Sequence, residues 1–382
     1  MTSLPTRPIR IDAPTPLLGG LTPNAFMQKH WQKRPLLVRQ ALPGVQPPLA
    51  RAELFALAGR DEVESRLVVR DGKVWTLRHG PLPRRVLPGV RRPGWTLLVQ
   101  GLDLHVRAAH DLLQRFRFVP DARLDDLMLS YATDGGGVGP HVDSYDVFLL
   151  QVQGVREWRI GRVVAPRLRR NVPLKLLSNF VAEQRWRLAP GDMLYLPPGW
   201  AHDGVARGEC MTCSIGFRAP EPHALAADVL QQLLDAQAQS PASNRYRDEG
   251  QRATASPARI PPLLQAFAVD AVRQALTDPR ALASALGEVL SEPKPSVHFD
   301  AGSRLTRHQG VRLDPRTRLL YDDQHVFING EACRAGGADA RLLRRLADER
   351  VLGAADLAKL SAPARALLNE WAQAGWLQRE PR

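Results

Sequence analysis

The chain has only three cysteines in 382 residues, too few for a disulfide framework. Two of them, in "CMTC", carry C-x-x-C spacing, but a structural zinc site takes four ligands and there is no second pair. The surrounding "CMTCSIGFR" alternates like a strand, so Cys210, Cys213 and Cys333 read as structural thiols. Long apolar runs are missing too. None approaches the roughly 20 residues of a membrane span, and the start, "MTSLPTRPIRIDAP", lacks the apolar stretch of a secretory signal. The expectation is a cytoplasmic protein with no membrane association. Lysine is scarce beside arginine, and acid is scarce beside base: 52 Lys and Arg against 39 Asp and Glu leave a formal charge of +13. That excess points towards an acidic partner such as nucleic acid or a ribonucleoprotein, although a GC-rich genome also accounts for an arginine surplus.

What is present is the composition of an ordinary soluble globular protein, 44% hydrophobic and 24% charged. The length suggests two or three domains. Residues 1 to about 60 read as helical: Thr22 can cap, Pro23 suits the first helical position, and "NAFMQKHWQK" follows before Pro35. From about 65 to 217 short β-type runs dominate, among them "SRLVVR", "WTLLVQG", "LMLSYAT", "YDVFLLQV", "REWRIG" and "CMTCSIGF". One helical stretch, "VRAAHDLLQRF", lies between them. Many short strands separated by Gly, Pro and Asp turns indicate a sandwich or barrel, with a jelly roll as the leading option.

Helical spacing then takes over. Leu225, Val229 and Leu233 form one stripe, and residues 239 to 258 are polar and read as a loop. A second stripe holds Leu264, Phe267, Ala268, Ala271 and Val272; a third helix, capped by Asp278 ahead of Pro279, carries Leu282, Leu286 and Val289. Three amphipathic helices in so short a segment are too thin a layer to bury their own stripes, which predicts a homodimer interface here. From about 305, "GVRLDPRTRLLYD" and "HVFING" read as two strands leading into three helices, a unit that resembles a winged helix. The expected division is therefore 1–219, 220–304 and 305–382.

The chemistry concentrates in "GGGVGPHVDSYDVFLLQVQGVREWRI". His141 and Asp143 stand at i and i+2, which on a strand directs both side chains to one face. The best third ligand is His202 in "LAPGDMLYLPPGWAHDG", where a tight turn leads up a strand and a proline bend presents the histidine. Two histidines and a carboxylate on one face form the facial triad of non-haem iron(II) enzymes, with three coordination positions left open. Those positions fit a bidentate 2-oxo acid and dioxygen. Such a co-substrate needs a cation for its far carboxylate, and Arg156, on what reads as the return strand of a hairpin, can supply a guanidinium. A surface arginine beside Glu157 fits the spacing as well. Ser130 could add a hydroxyl. The glycine run has no following Lys-Ser/Thr and does not open a helix, so it is not a phosphate loop; it reads as a flexible lip at the barrel mouth.

"GGGVGPHVDSYDVFLLQ…GVREWRIG" and "PGDMLYLPPGWAHDG" closely resemble the bacterial JmjC-type ribosomal oxygenases, and the resemblance extends over essentially the whole chain. It implies a mainly β catalytic domain, the double-stranded β-helix jelly roll of cupin and JmjC proteins, followed by an α-helical dimerisation segment and a C-terminal winged helix. It implies an enzyme using Fe(II), 2-oxoglutarate and O2 to hydroxylate carbon 3 of an arginine in large-subunit ribosomal protein sixteen. His141, Asp143 and His202 take the positions of the iron ligands, and Arg156 and Ser130 those that hold the 2-oxoglutarate carboxylate. Direct nucleic-acid binding is not required for this activity. Asp134 and Asp146 flank the motif and could neutralise a substrate guanidinium; solvated loop positions fit each equally well. A hydroxylase acting on histidine or on a non-ribosomal protein stays open. So does a cupin sensor fused to a DNA-binding winged helix, which a complete triad with Arg156 disfavours.

Overall fold

Ten strands build the N-terminal part of the chain: β1 (Leu36–Val38), β2 (Ser65–Asp71), β3 (Val74–His79), β4 (Trp95–Val99), β5 (Leu124–Ala132), β6 (His141–Val142), β7 (Val147–Arg162), β8 (Gln184–Leu188), β9 (Met193–Leu196) and β10 (Trp200–Phe217). In this computed structural model, residues 10–238, 245–247, 249, 258–306 and 309–380 are described; the polar stretch 239–258 read as a loop lies almost wholly outside them. The chain divides into two units, Met1–Ala219 with Pro295–Phe299 and Pro220–Lys294 with Asp300–Arg382.

All strand pairs of the first unit are antiparallel, in the order β1-β9-β7-β10-β5-β4-β2-β3. The two long central strands pair with each other, and each serves two further neighbours. β7 pairs first with β9 and then with β8, while β10 pairs first with β6 and then with β5. Sharing β7 and β10 in this way joins a larger and a smaller sheet into the expected double-stranded β-helix. β1 was not expected within the helical start; it pairs with β9. Helices α1 (Pro23–Lys29), α2 (Arg51–Leu57), α3 (Leu102–His105) and α4 (Arg107–Leu113) complete the unit. Thr22 caps α1 through the amide of Ala25 at 3.0 Å, as its position ahead of Pro23 indicates.

Side-chain alternation separates core from site. On β5, Leu127, Leu129 and Tyr131 enter the main core, while Asp126, Met128 and Ser130 face a cavity. The core is an aromatic cluster in which Phe26 meets Tyr195 edge-on, with centroids 4.9 Å apart, and Trp31 meets Phe217 at 5.0 Å. Cys213 is part of it and Cys210 is also buried, which is the place expected of structural thiols; burial pushes the Cys213 thiol up.

The turn between β8 and β9 is fastened by Asp192, which accepts from the amides of Gln40 (3.0 Å) and Ala189 (3.1 Å) and from Arg39 (2.6 Å). Burial raises this carboxyl, but the two amides and Arg39 outweigh it and hold the pKa below its ordinary value. A folded pKa below the unfolded one stabilises above the unfolded pKa, and that stability is lost as pH falls through the folded value. Asp192→Ala should therefore cost about 1–3 kcal/mol at neutral pH. In urea unfolding the gap between variant and wild type should narrow in acid.

In the second unit, α5 (Pro222–Ala238), α6 (Pro262–Ala275) and α7 (Pro279–Ser291) precede two three-stranded sheets. Asp278 caps α7 as expected, accepting from Arg280 at 2.9 Å. Val229 and Leu233 of α5 pack with Ala285 of α7. The sheets are β11 (Val311–Leu313) with β15 (Val351–Leu352) and β16 (Leu377–Arg379), and β12 (Leu319–Tyr321) with β13 (His325–Ile328) and β14 (Glu331–Arg334). "GVRLDPRTRLLYD" is thus two strands in different sheets, because Asp314 and Thr317 turn the chain between them. Helices α8 (Gly337–Glu349), α9 (Ala354–Leu357) and α10 (Ala362–Gln373) close over a core containing Leu343, Leu346, Leu368 and Trp371. No helix among the described residues is long and apolar enough to cross a membrane.

Candidate active site

His202 lies near the start of β10, opposite His141 of β6, and Asp143 follows directly after β6. The imidazole centroids are 4.2 Å apart. One carboxylate oxygen of Asp143 is 3.9 Å from His141 Nε2 and the other 3.6 Å from His202 Nε2. One ligand atom from each residue falls within 4.8 Å of the others. Both rings are oriented from behind: His141 Nδ1 faces the Gly139 carbonyl at 2.9 Å and His202 Nδ1 the Trp200 carbonyl at 3.1 Å. Each Nδ1 then carries the proton and each Nε2 presents a lone pair to the common centre. Burial and neighbouring His141 push His202 down to about 4, so it is neutral near pH 7. Two neutral nitrogens and one carboxylate suit a divalent transition metal, and the donor set fits Fe(II).

The three residues sit in the wall of a cavity of about 540 Å³ that also contains Ser130, Arg156 and Trp158. Arg156 is 5% exposed, donates from Nη1 to Ser130 Oγ at 3.1 Å, and leaves Nε and Nη2 without hydrogen-bond partners. Ser130 Oγ in turn donates to the Thr212 carbonyl at 3.3 Å. Thr96 Oγ1 and Trp158 Nε1, in the same wall, are also buried and unpartnered. A buried guanidinium with two idle donors is costly unless an anion completes it. The cavity therefore offers a metal centre near one carboxylate-binding fork, the layout a 2-oxo acid requires.

Arg156 reaches this wall by a route that spacing does not show. It lies on β7 itself and not on the return strand of a hairpin. Val147 and Leu149 face the cavity at odd positions, so strict alternation would aim residue 156 away from it. Gly154 adopts φ +64°, and the β7–β10 register shifts between Arg207 and Met211. This irregularity switches the face that β7 presents, and Arg156 and Trp158 point inward. A Cβ at Gly154 would run into the Glu209 carbonyl.

Residues 111–225 match the JmjC domain family and residues 274–378 the ROXA-like winged helix. The chain is 34% identical over 325 residues to the ribosomal protein uL16 3-hydroxylase of Escherichia coli K12, covering 80% of this chain and 84% of that one. The chain belongs to the JmjC ribosomal oxygenases. A probable ribosomal oxygenase of Haemophilus influenzae is 34% identical over 206 residues, 52% of this chain and 50% of its own. Among solved structures, E. coli YcfD superposes with a TM-score of 0.81 at 30% identity, covering 93% and 97% of the two chains. YcfD in complex with cobalt and 2-oxoglutarate gives 0.79 at 29% identity, covering 94% and 99%.

Within this oxygenase, the flanking acids do not serve the cavity. Asp146 is fully buried, accepts from Tyr195 Oη at 2.6 Å and Gln32 Nε2 at 3.2 Å, and lies 3.7 Å from Arg123. It is part of the fold. Asp134 is exposed and holds a turn by accepting from the Gly208 amide at 2.8 Å. The glycine run is not a flexible lip: Gly136, Gly137 and Gly139 are buried, and a Cβ on Gly137 would strike the Gly204 carbonyl. Besides Asp143, the acids that line the cavity are Asp125, 3.7 Å from Arg218, and Asp126, which accepts from the Gly101 amide at 2.9 Å, with Tyr145 and Met128 beside them. Asp126 shares the alternation of Ser130 along "DDLMLSYA", a signal present in the sequence that a search for metal ligands passes over.

Proposed function

We propose that this protein is an iron(II)- and 2-oxoglutarate-dependent oxygenase that hydroxylates carbon 3 of an arginine in the large-subunit ribosomal protein uL16. The observation that carries the reading is one cavity holding the His141–Asp143–His202 cluster and the incompletely bonded guanidinium of Arg156. The E. coli relative is a uL16 3-hydroxylase, and YcfD binds cobalt and 2-oxoglutarate in its solved structure.

His141, Asp143 and His202 would hold the iron, which supplies the redox chemistry with dioxygen and 2-oxoglutarate. Arg156 binds the far carboxylate of 2-oxoglutarate, with Ser130 fixing the guanidinium plane. Val147, Leu149 and Trp158 form apolar wall that excludes water from the reacting centre. Asp125 and Asp126 add negative charge to the wall for a substrate guanidinium, and Met128 and Tyr145 add surface for its methylene chain. A ribosomal target supports a cytoplasmic enzyme. The test is to incubate the protein with Fe(II), 2-oxoglutarate and a uL16 fragment spanning the target arginine. Mass spectrometry should find one added oxygen on arginine and stoichiometric succinate; an oxygen on histidine, or none, overturns the reading.

The segment 220–304 is proposed as the homodimerisation region. On α6 no residue is buried, and Leu263, Leu264, Phe267 and Val272 are exposed together, as are Leu282 and Leu286 on α7. Such a stripe needs a partner surface, and a second copy supplies an identical one. Phe267→Glu should convert a dimer to a monomer in light scattering; a wild type that is monomeric at micromolar concentration refutes the interface.

A further inference from the structure

The net charge of +13 is not used by the chemistry above, and several arginines are held by carboxylates or carbonyls. Arg39 pairs with Asp192, Arg51 with Glu209, and Arg185, Arg187 and Arg207 converge on Glu157. In the winged helix, Arg345 bridges Glu349 and Asp356, and Arg344 donates to the carbonyls of Asp322 and Asp323. One region differs.

Between β7 and β8 the chain forms a hairpin flap. Leu168 bridges Leu177, Arg169 N donates to the Leu176 carbonyl at 2.8 Å, and Ser178 N to the Arg167 carbonyl at 2.7 Å. Asn179 braces the base by accepting from Arg167 N and donating to the Ala165 carbonyl. The inner side of the flap is moored: Val172, Leu174 and Leu176 pack with Val68, Trp75 and Leu98 of the β2–β4 sheet. Its outer side and tip expose Arg167, Arg169 and Arg170, and Lys175 lines the cavity. On β2, Arg66 lines the same cavity, and Arg70 stacks over Trp75 at 5.4 Å. Among the described residues no carboxylate forms an ion pair with any of these six cations.

Acids and bases therefore share the cavity wall, Asp125 and Asp126 with Arg66 and Lys175, and the exposed Arg167, Arg169 and Arg170 extend the positive charge along the flap. A substrate matching both signs of charge has a cationic side chain set in anionic surroundings. A basic residue of a protein lying against RNA meets that description, because the RNA phosphates supply the anionic surroundings. We propose that the collar formed by the 165–179 flap and β2 binds the phosphate backbone of RNA beside the residue to be hydroxylated. Five of its six cations are arginines, whose planar fork matches phosphate oxygens. The proposal rests on the ribosomal hydroxylase reading for the identity of the inserted side chain, but not for the RNA contact itself.

The experiment measures fluorescence anisotropy of a labelled single-stranded oligouridine with the full-length protein. With six phosphate contacts the logarithmic salt slope should be about −4, and the variant Arg167→Glu/Arg169→Glu/Arg170→Glu should bring it to about −2. Affinity at low salt should fall at least about tenfold in that variant. Arg341→Glu/Arg365→Glu on the winged helix should leave RNA binding unchanged. Hydroxylation of a free peptide by the flap variant should match wild type, since none of the three arginines lines the cavity. If the reversal variant fails to fold, the glutamine triple variant answers the same question. No RNA binding by wild type, equal loss in the winged-helix variant, or competition by polyglutamate as effective as by unlabelled RNA each overturns the collar. Absence of peptide turnover in wild type would instead fail the hydroxylase reading and leave the RNA result standing.

Discussion

Asp143→Ala should abolish turnover and leave the protein folded. The Asp143 carboxylate is the one anionic donor of the triad, within 3.9 Å of both imidazole Nε2 atoms. Without it a metal meets two neutral nitrogens and loses the charge that holds a hard divalent ion. Loss of partners behind a metal ligand already costs about 10–100-fold in affinity or activity, so loss of the ligand itself should exceed that. Little else depends on this side chain. The backbone contact of Asp143 is its carbonyl, which accepts from Gly199 N at 3.0 Å and survives the substitution. Hydroxylation should drop below detection, bound iron should fall in parallel, and circular dichroism and the unfolding midpoint should stay near wild type. Full activity in the variant would sink the metal assignment; a collapsed fold would show that Asp143 has a packing role the geometry does not reveal.

Two residues of the triad were legible because their geometry is local. H-x-D at the end of a strand brings two ligands from one element, and β10 carries His202 opposite His141 in direct register. Only the first arrangement is local; the second joins strands far apart in the chain, and the sequence pointed to His202 through "PGDMLYLPPGWAH". The jelly roll was legible for a similar reason, since short alternating strands between turn residues have few other solutions. Helix starts at Thr22 and Asp278 followed from cap chemistry.

Legibility ended where tertiary context reverses a local rule. Asp146 is near the triad in sequence, but it points to the other side of the sheet, where Tyr195 and Gln32 from distant segments satisfy it. Burial raises the pKa of Tyr195, as does its bond to Asp146, so its hydroxyl stays protonated and donates to that carboxylate. The glycines before His141 read as a source of flexibility, yet strands packing from β4 and β10 leave no room for side chains there. β1 was lost inside an apparently helical start because three residues are too few to show a period. The exposed stripe of α6 is the opposite case: the helix and its apolar face follow from spacing, but what covers that face is a property of an assembly.

Arg156→Ala should raise the 2-oxoglutarate requirement far more than any change at the rim. The residue faces the cavity only because the irregularity at Gly154 switches the side of β7 that faces inward, and the fold keeps its guanidinium buried with two donors unmet. A site built at that expense is completed by a ligand carboxylate. Removing the cation leaves that carboxylate buried without a charged partner, a cost of about 3–5 kcal/mol, which corresponds to roughly a hundred- to several-thousand-fold in affinity. Ser130 remains as a single hydroxyl and cannot replace a two-pronged donor. Arg156→Lys should recover part of the loss, since a point charge returns but the fork does not. Isothermal titration of the metal-loaded protein with 2-oxoglutarate separates this from a general loss of structure: affinity should fall steeply for alanine and less for lysine, while metal binding by His141, Asp143 and His202 persists in both. Unchanged 2-oxoglutarate affinity in Arg156→Ala removes the residue from the cosubstrate site and leaves its buried charge to be explained by the fold alone.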